Sequence, residues 1–223
     1  MPAVWQDWGV WPRRRTLVRA LPWALGVLLL VGIAIPNLTS ATHCGNGIAA
    51  RSTLHIVAIA QQQFRDAALI DVDGDGCGEF GSFLELSGAV ELRGRDRVLN
   101  PPVLSGTFRS LNARGDVSRS GYLFRVYLLA EGGVWVPADP LPDDIATDAA
   151  ETAFLCYAWP MKYGTSGKST YVVDQTGTVL HTDDPRYSGV LVPAPGSAAG
   201  AGAALVAGIG ADGNEWVVGS GER

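Results

Sequence analysis

The chain has 223 residues, of which 47% are hydrophobic and 17% are charged, which fits one compact domain with an appendage and excludes a long disordered protein. Its formal net charge is −5, from 17 Lys and Arg against 22 Asp and Glu, and the basic residues cluster only near the N-terminus. No basic face is therefore expected, and we predict no nucleic-acid partner.

The N-terminal part combines a basic, Trp-containing segment, residues 1–15, with an apolar run, residues 16–38. The run contains a single charge, Arg19, and at about 1.5 Å per residue it is long enough to cross the roughly 30 Å hydrocarbon core of a bilayer. Because an arginine cluster at 13–15 precedes it, the positive-inside rule predicts a transmembrane helix with a cytoplasmic N-terminus. A cleaved secretory signal ending near Ala41 is an alternative that the sequence leaves open.

A second helical pattern follows the apolar run. Pro36 bends a helix without ending it, and apolar positions then recur at helical spacing. The residues of this stripe are Leu54, Val57, Ala58, Gln61 and Phe64. We expect this amphipathic helix to lay the stripe against a sheet.

The stretch IAIPNLTSATHCGNGIAARSTLHIVAIAQQQF, residues 33–64, resembles the type IV pilin and type II secretion pseudopilin family. In that family an apolar helix ends in Ile-Pro-Asn-Leu, and its continuation carries Ala-Gln-x-x-Phe. The cleavage signature of the family is degenerate here, because Arg14, Arg15 and Arg19 replace a Gly, an aromatic residue and a Glu.

The resemblance implies an α+β, pilin-like fold, in which a long N-terminal transmembrane-plus-amphipathic helix packs on a small antiparallel β-sheet within a periplasmic domain, residues 39–190. It also implies a non-enzymatic, membrane-anchored structural subunit of a secretion or pilus-type assembly. The expected location is the bacterial inner membrane, and the expected partners are other pilin-like subunits or secretion machinery.

An acidic loop follows the amphipathic helix. Asp71, Asp73 and Asp75 alternate and are followed by Gly76, as at the start of an EF-hand-like calcium loop, where hard oxygen ligands converge around a tight turn. The block DVDGDGCGEFG also resembles a divergent, planctomycete-type pseudopilin-like group.

The EF-hand pattern then fails, because its twelfth position is Ser82 instead of Glu. Glu79 is the fourth candidate ligand, and Glu85 is an alternative to it. A solvated turn that caps the short helix SFLEL also explains this composition. An exported, stand-alone calcium-binding module, released by signal peptidase or tethered to the membrane, is therefore the alternative function.

The rest of the chain is predicted to be mainly short antiparallel strands. Four stretches have strand character: 122–129, 153–160, 168–175 and 177–183. The Ala/Gly-rich C-terminal part, residues 191–223, is expected to be a flexible tail, although EWVV at 215–218 fits an edge strand.

No catalytic constellation emerges from the sequence, and we predict no enzymatic activity. Cys156 with His181 resembles a nucleophile and its base, but an apolar strand around Cys156 favours a buried structural thiol. A disulfide between Cys77 and Cys156 stays open. Arg114-Gly115-Asp116 is interpreted as a turn.

Overall fold

A computed structural model describes residues 42–141, 145, 147–201 and 204–219 of the chain. Three α-helices and eight strands lie in this part of the chain. In chain order they are α1 (42–66), α2 (Phe83–Leu86), β1 (Val117–Arg119), β2 (Tyr122–Ala130), β3 (Val134–Pro137), α3 (Thr147–Thr152), β4 (Phe154–Pro160), β5 (Thr170–Asp174), β6 (Val179–Thr182), β7 (Gly208–Ile209) and β8 (Glu215–Val218).

Helix α1 confirms the predicted apolar stripe. Leu54, Val57 and Phe64 are fully buried and belong to the same hydrophobic cluster as residues of β2, β4 and β5. The opposite side of α1 faces solvent and exposes Ile56 and Ile59. One face of this helix therefore forms part of the core, as the 3.6-residue period requires.

The strands form one antiparallel sheet with the order β1-β2-β4-β5-β6-β8-β7, and β3 pairs with β2 beside β1. In the centre of the sheet, Val126 of β2 lies opposite Cys156 of β4, which lies opposite Val173 of β5. The four stretches predicted as strands are confirmed as β2, β4, β5 and β6.

Both faces of the central strands are buried. Along β2, Phe124 and Val126 face α1, while Leu123 and Tyr127 belong to a second cluster on the other face. Such alternation between two faces is the geometry of a β-strand, in which successive side chains point in opposite directions. Because two clusters sandwich the sheet, β4 has no exposed position from Phe154 to Pro160.

The C-terminal segment covers the second face, where a flexible tail was expected. Ala198, Leu205 and Trp216 are buried in the second cluster. The alternative for EWVV is confirmed in part: β8 pairs with β6, but β7 continues the sheet beyond it.

The predicted fold class, a long transmembrane-plus-amphipathic helix on a small sheet, is wrong. The described chain is mostly an eight-stranded antiparallel sheet, and α1 has 25 residues with a single apolar face. Among the residues that the structure describes, no helix is both long and apolar enough to cross a bilayer. This finding also corrects the expected single-pass transmembrane helix for that part of the chain, and the run 16–38 lies outside the described residues.

Candidate cation-binding site

The acidic loop between α1 and α2 is folded by its own carboxylates. One oxygen of Asp71 accepts a hydrogen bond from the Gly74 N–H at 2.8 Å, and one oxygen of Asp75 accepts from the Cys77 N–H at 2.7 Å. Asp73 accepts from the Asp75 N–H at 3.3 Å. Each of these bonds uses Oδ1 only, so the second oxygen of each carboxylate keeps its capacity to bind a cation.

The turn brings the three aspartates together. Each of Asp71, Asp73 and Asp75 places a carboxylate oxygen within 4.8 Å of one from each of the other two. Gly74 and Gly76 have φ values of +76° and +91°, a region that glycine adopts without strain. The predicted convergence of the alternating aspartates is therefore present in the structure.

Helix α3 adds two carboxylates that the sequence analysis did not identify. Asp148 and Glu151 each place an oxygen within 4.8 Å of Asp73, and Glu151 also approaches Asp75 and Cys77. A hydrogen bond of 2.9 Å from the Phe80 N–H to the Ala150 carbonyl ties α3 to the segment after the loop. The site thus has two sides, which come from distant parts of the chain.

Like charges dominate the electrostatics of this cluster. Partial burial, together with the negative charges of Asp75 and Asp73, raises the pKa of Glu151. Its Oε1 atom is shielded from solvent and has no hydrogen-bond partner. Among the described residues, no salt bridge involves Glu151 or any of the three loop aspartates.

Cys77 lies beside the carboxylates as an exposed thiol. The negative charge of Asp75, followed by that of Glu151, raises the pKa of this thiol. In the absence of a cation, the neighbouring carboxylates therefore favour the neutral form of the thiol.

Glu79, the fourth predicted ligand, lies behind the loop. Its side chain is 1% exposed and forms a salt bridge of 2.8 Å with Arg93. Glu85, the alternative, contacts the same arginine at 3.0 Å. Ser82, at the twelfth position of the pattern, caps α2 by accepting the Glu85 N–H. The fourth contribution to the cluster comes from α3 instead.

The other sequence motifs form no site. Cys156 is fully buried in the first cluster, and burial raises the pKa of its thiol well above the usual value. It lies opposite Val173, whereas His181 lies opposite Tyr171, so the pair is not brought together. Because Cys77 is exposed and Cys156 is buried, the two form no disulfide.

Arg114-Gly115-Asp116 is a turn, as expected, but it is not solvated. Asp116 is fully buried and forms salt bridges with Arg114 and Arg125.

No protein-family model, no curated protein and no solved structure matches this chain. Nothing therefore identifies a pilin or type II secretion family, and the assignment of the chain to those classes is corrected. A structural role in a secretion or pilus-type assembly and an inner-membrane location stay predictions that no finding tests.

Proposed function

We propose that this chain is a non-enzymatic domain that binds calcium. Loop residues Asp71, Asp73 and Asp75 supply carboxylates from one side, and Asp148 and Glu151 of α3 supply them from the other. The observation that supports the proposal is that trios of close carboxylates overlap: Asp73 belongs both to the loop trio with Asp71 and Asp75 and to a trio with Asp148 and Glu151 of α3.

The donor set favours Ca²⁺ over other divalent cations. Calcium takes six to eight oxygen ligands in flexible geometry, whereas Mg²⁺ demands a near-ideal octahedron and retains several waters. Zinc prefers nitrogen and thiolate ligands, whereas this cluster offers five carboxylates and a single thiol. A donor set made mainly of carboxylates therefore fits calcium best.

A dication would also relieve the repulsion within the cluster. Glu151 has one oxygen without a hydrogen-bond partner, and its carboxylate lies close to those of Asp73 and Asp75. A bound Ca²⁺ provides a positive partner for these groups and reverses the upward shift of the Glu151 pKa.

The test is the thermal unfolding of the full chain in calcium and in EDTA. At a calcium concentration of 100 times Kd, the native state gains about 2.7 kcal/mol, which corresponds to a rise in Tm of roughly 5 to 10 °C. We expect Asp73→Asn and Glu151→Gln each to remove most of this rise.

Asp183→Asn is the matched control, because Asp183 is an exposed carboxylate in the turn after β6. Its variant is expected to keep the full calcium-dependent rise. The proposal fails if the wild type shows no rise, or if the Asp73 and Glu151 variants respond as strongly as the control does.

A further inference from the structure

Arg93 connects the base of the acidic loop to the start of α2. Its guanidinium donates to Glu79 Oε2 at 2.8 Å and to Glu85 Oε1 at 3.0 Å, and it also donates to the Phe80 carbonyl. Glu79 and Glu85 are each 1% exposed. Both carboxylates are therefore removed from water, and Arg93 is their cationic partner in this network.

Each glutamate uses its second oxygen to hold a backbone N–H. Glu79 Oε1 accepts from Val72 at 3.2 Å, and Glu85 Oε2 accepts from Ser82 at 2.8 Å. The Val72 end of this network lies inside the acidic loop, and the Ser82 end is the N-cap of α2. The guanidinium thus connects two backbone positions that are ten residues apart.

We propose that Arg93 and Glu79 are positioning residues of the calcium site. This inference rests on the proposed calcium binding. Val72 lies between Asp71 and Asp73, so holding its N–H sets the directions in which these two side chains leave the backbone. Groups that orient metal ligands from behind typically contribute ten- to a hundred-fold to metal affinity.

A positioning role and a simple charge effect predict different outcomes for Arg93. By Coulomb's law, a positive charge near a cation site weakens cation binding, so its removal strengthens binding. The positioning role predicts the reverse. In Arg93→Lys the charge is kept, but an ammonium group lacks the planar fork that reaches both glutamates and the Phe80 carbonyl. A pure charge effect therefore predicts no change in that variant.

The experiment measures the Kd for Ca²⁺ by titration calorimetry for the wild type, Arg93→Lys and Arg93→Gln. We expect about tenfold weaker binding for Arg93→Lys and a larger loss for Arg93→Gln. Arg97→Lys, at an exposed arginine of the same turn, is the control and should stay within about twofold of the wild type. Tm in EDTA and near-ultraviolet circular dichroism establish that each variant is folded at the titration temperature.

Hydrogen exchange of the Val72 amide in EDTA provides a second readout that needs no calcium. Faster exchange in Arg93→Lys than in the control is the expected result. Unchanged calcium affinity in Arg93→Lys, or tighter binding in Arg93→Gln, overturns the positioning role while calcium binding stands. A wild type that does not bind calcium overturns the proposed function itself, and the positioning role with it.

Discussion

Asp139 is a buried carboxyl group at the start of α2. Its two oxygens accept from the Phe83 N–H at 2.9 Å and from the Leu84 N–H at 3.3 Å. Burial disfavours the charged carboxylate and raises the pKa of Asp139 to about 6. The negative charge of Glu85 acts in the same direction, whereas the two hydrogen bonds oppose the rise without cancelling it.

This raised pKa makes the contribution of Asp139 to stability depend on pH. Between the unfolded value of about 3.8 and the folded value of about 6, the native state binds more protons than the unfolded state does. The contribution of Asp139 is therefore fully present below about pH 4 and is lost as the pH rises through 6. Two pH units correspond to about 3 kcal/mol.

Asp139→Asn should remove this dependence. Relative to the wild type, we expect the variant to gain up to about 3 kcal/mol in free energy of unfolding between pH 4 and pH 7, because its amide does not ionise. Urea unfolding of both proteins at the two pH values measures this difference, in which the contributions of all other groups cancel. If the difference in free energy of unfolding between variant and wild type is the same at both pH values, the two N–H bonds hold the pKa of Asp139 in its usual range.

At the scale of single residues, the sequence predicted the loop side of the candidate site but not the side that α3 contributes. Asp71, Asp73 and Asp75 were predictable because their spacing is local and a tight turn brings alternate side chains together. Glu151 follows Asp75 by 76 positions, and no local pattern connects the two. Glu79 was predicted as a ligand because it is close in sequence, but its salt bridge with the partly buried Arg93 holds it at the back of the loop.

At the scale of elements, α1 contains a polar residue within its buried stripe. Gln61 is fully buried and forms two hydrogen bonds with the backbone of Gly81. Its amide nitrogen donates to the Gly81 carbonyl at 2.7 Å, and its oxygen accepts from the Gly81 N–H at 2.9 Å. The Gln61 amide thus pairs with the Gly81 backbone through one donated and one accepted hydrogen bond, and it joins α1 to the segment before α2.

Gln61→Leu should therefore destabilise the fold despite the higher hydrophobicity of leucine. The change leaves a buried N–H and a buried carbonyl without partners, and we expect a loss of about 2 to 4 kcal/mol in free energy of unfolding by urea denaturation. Gln63→Leu, on the exposed side of the same helix, is expected to change stability by no more than about 0.5 kcal/mol. Equal effects of the two substitutions would contradict this assignment.

The periodicity of the sequence predicted α1 and the four central strands, since each has a clear apolar repeat. It missed β1, β3 and β7, and it gave β8 only as an alternative to a flexible tail; these strands span two to four residues each. Segments this short are set by pairing with an existing strand and not by local propensity. The size of the sheet, and with it the fold class, was mispredicted for this reason.

At the scale of the whole molecule, the second face of the sheet depends on the C-terminal segment. The Leu205 N–H donates to Asp174 of β5 at 2.7 Å, and Trp216 packs edge-on against Tyr157 of β4. Trp216 also donates its indole N–H to Asp212. This role was not predictable from the composition of the segment. Its small residues pack closely on the sheet, but they form no apolar repeat in the sequence that would indicate burial.

Ending the chain after residue 190 should expose this face. The truncation uncovers Tyr157, which is fully buried in the intact fold and contacts Ser197 and Trp216. We expect a several-fold increase in the fluorescence of a hydrophobic dye and lower solubility. A chain that ends after residue 219 keeps β8 and is the control. Equal dye binding by the two truncated chains would contradict the covering role of residues 191–219.

The position of α3 against the acidic loop has a thermodynamic consequence beyond ligand geometry. An ion bound by both Asp75 and Glu151 would connect two points of the chain that have strands β1, β2 and β3 between them. Because the ion binds the folded arrangement and not the unfolded chain, it disfavours every opening that separates the loop from α3. Removal of calcium by a chelator would therefore make the protein more susceptible to proteolysis, although every contact inside the two apolar clusters would remain.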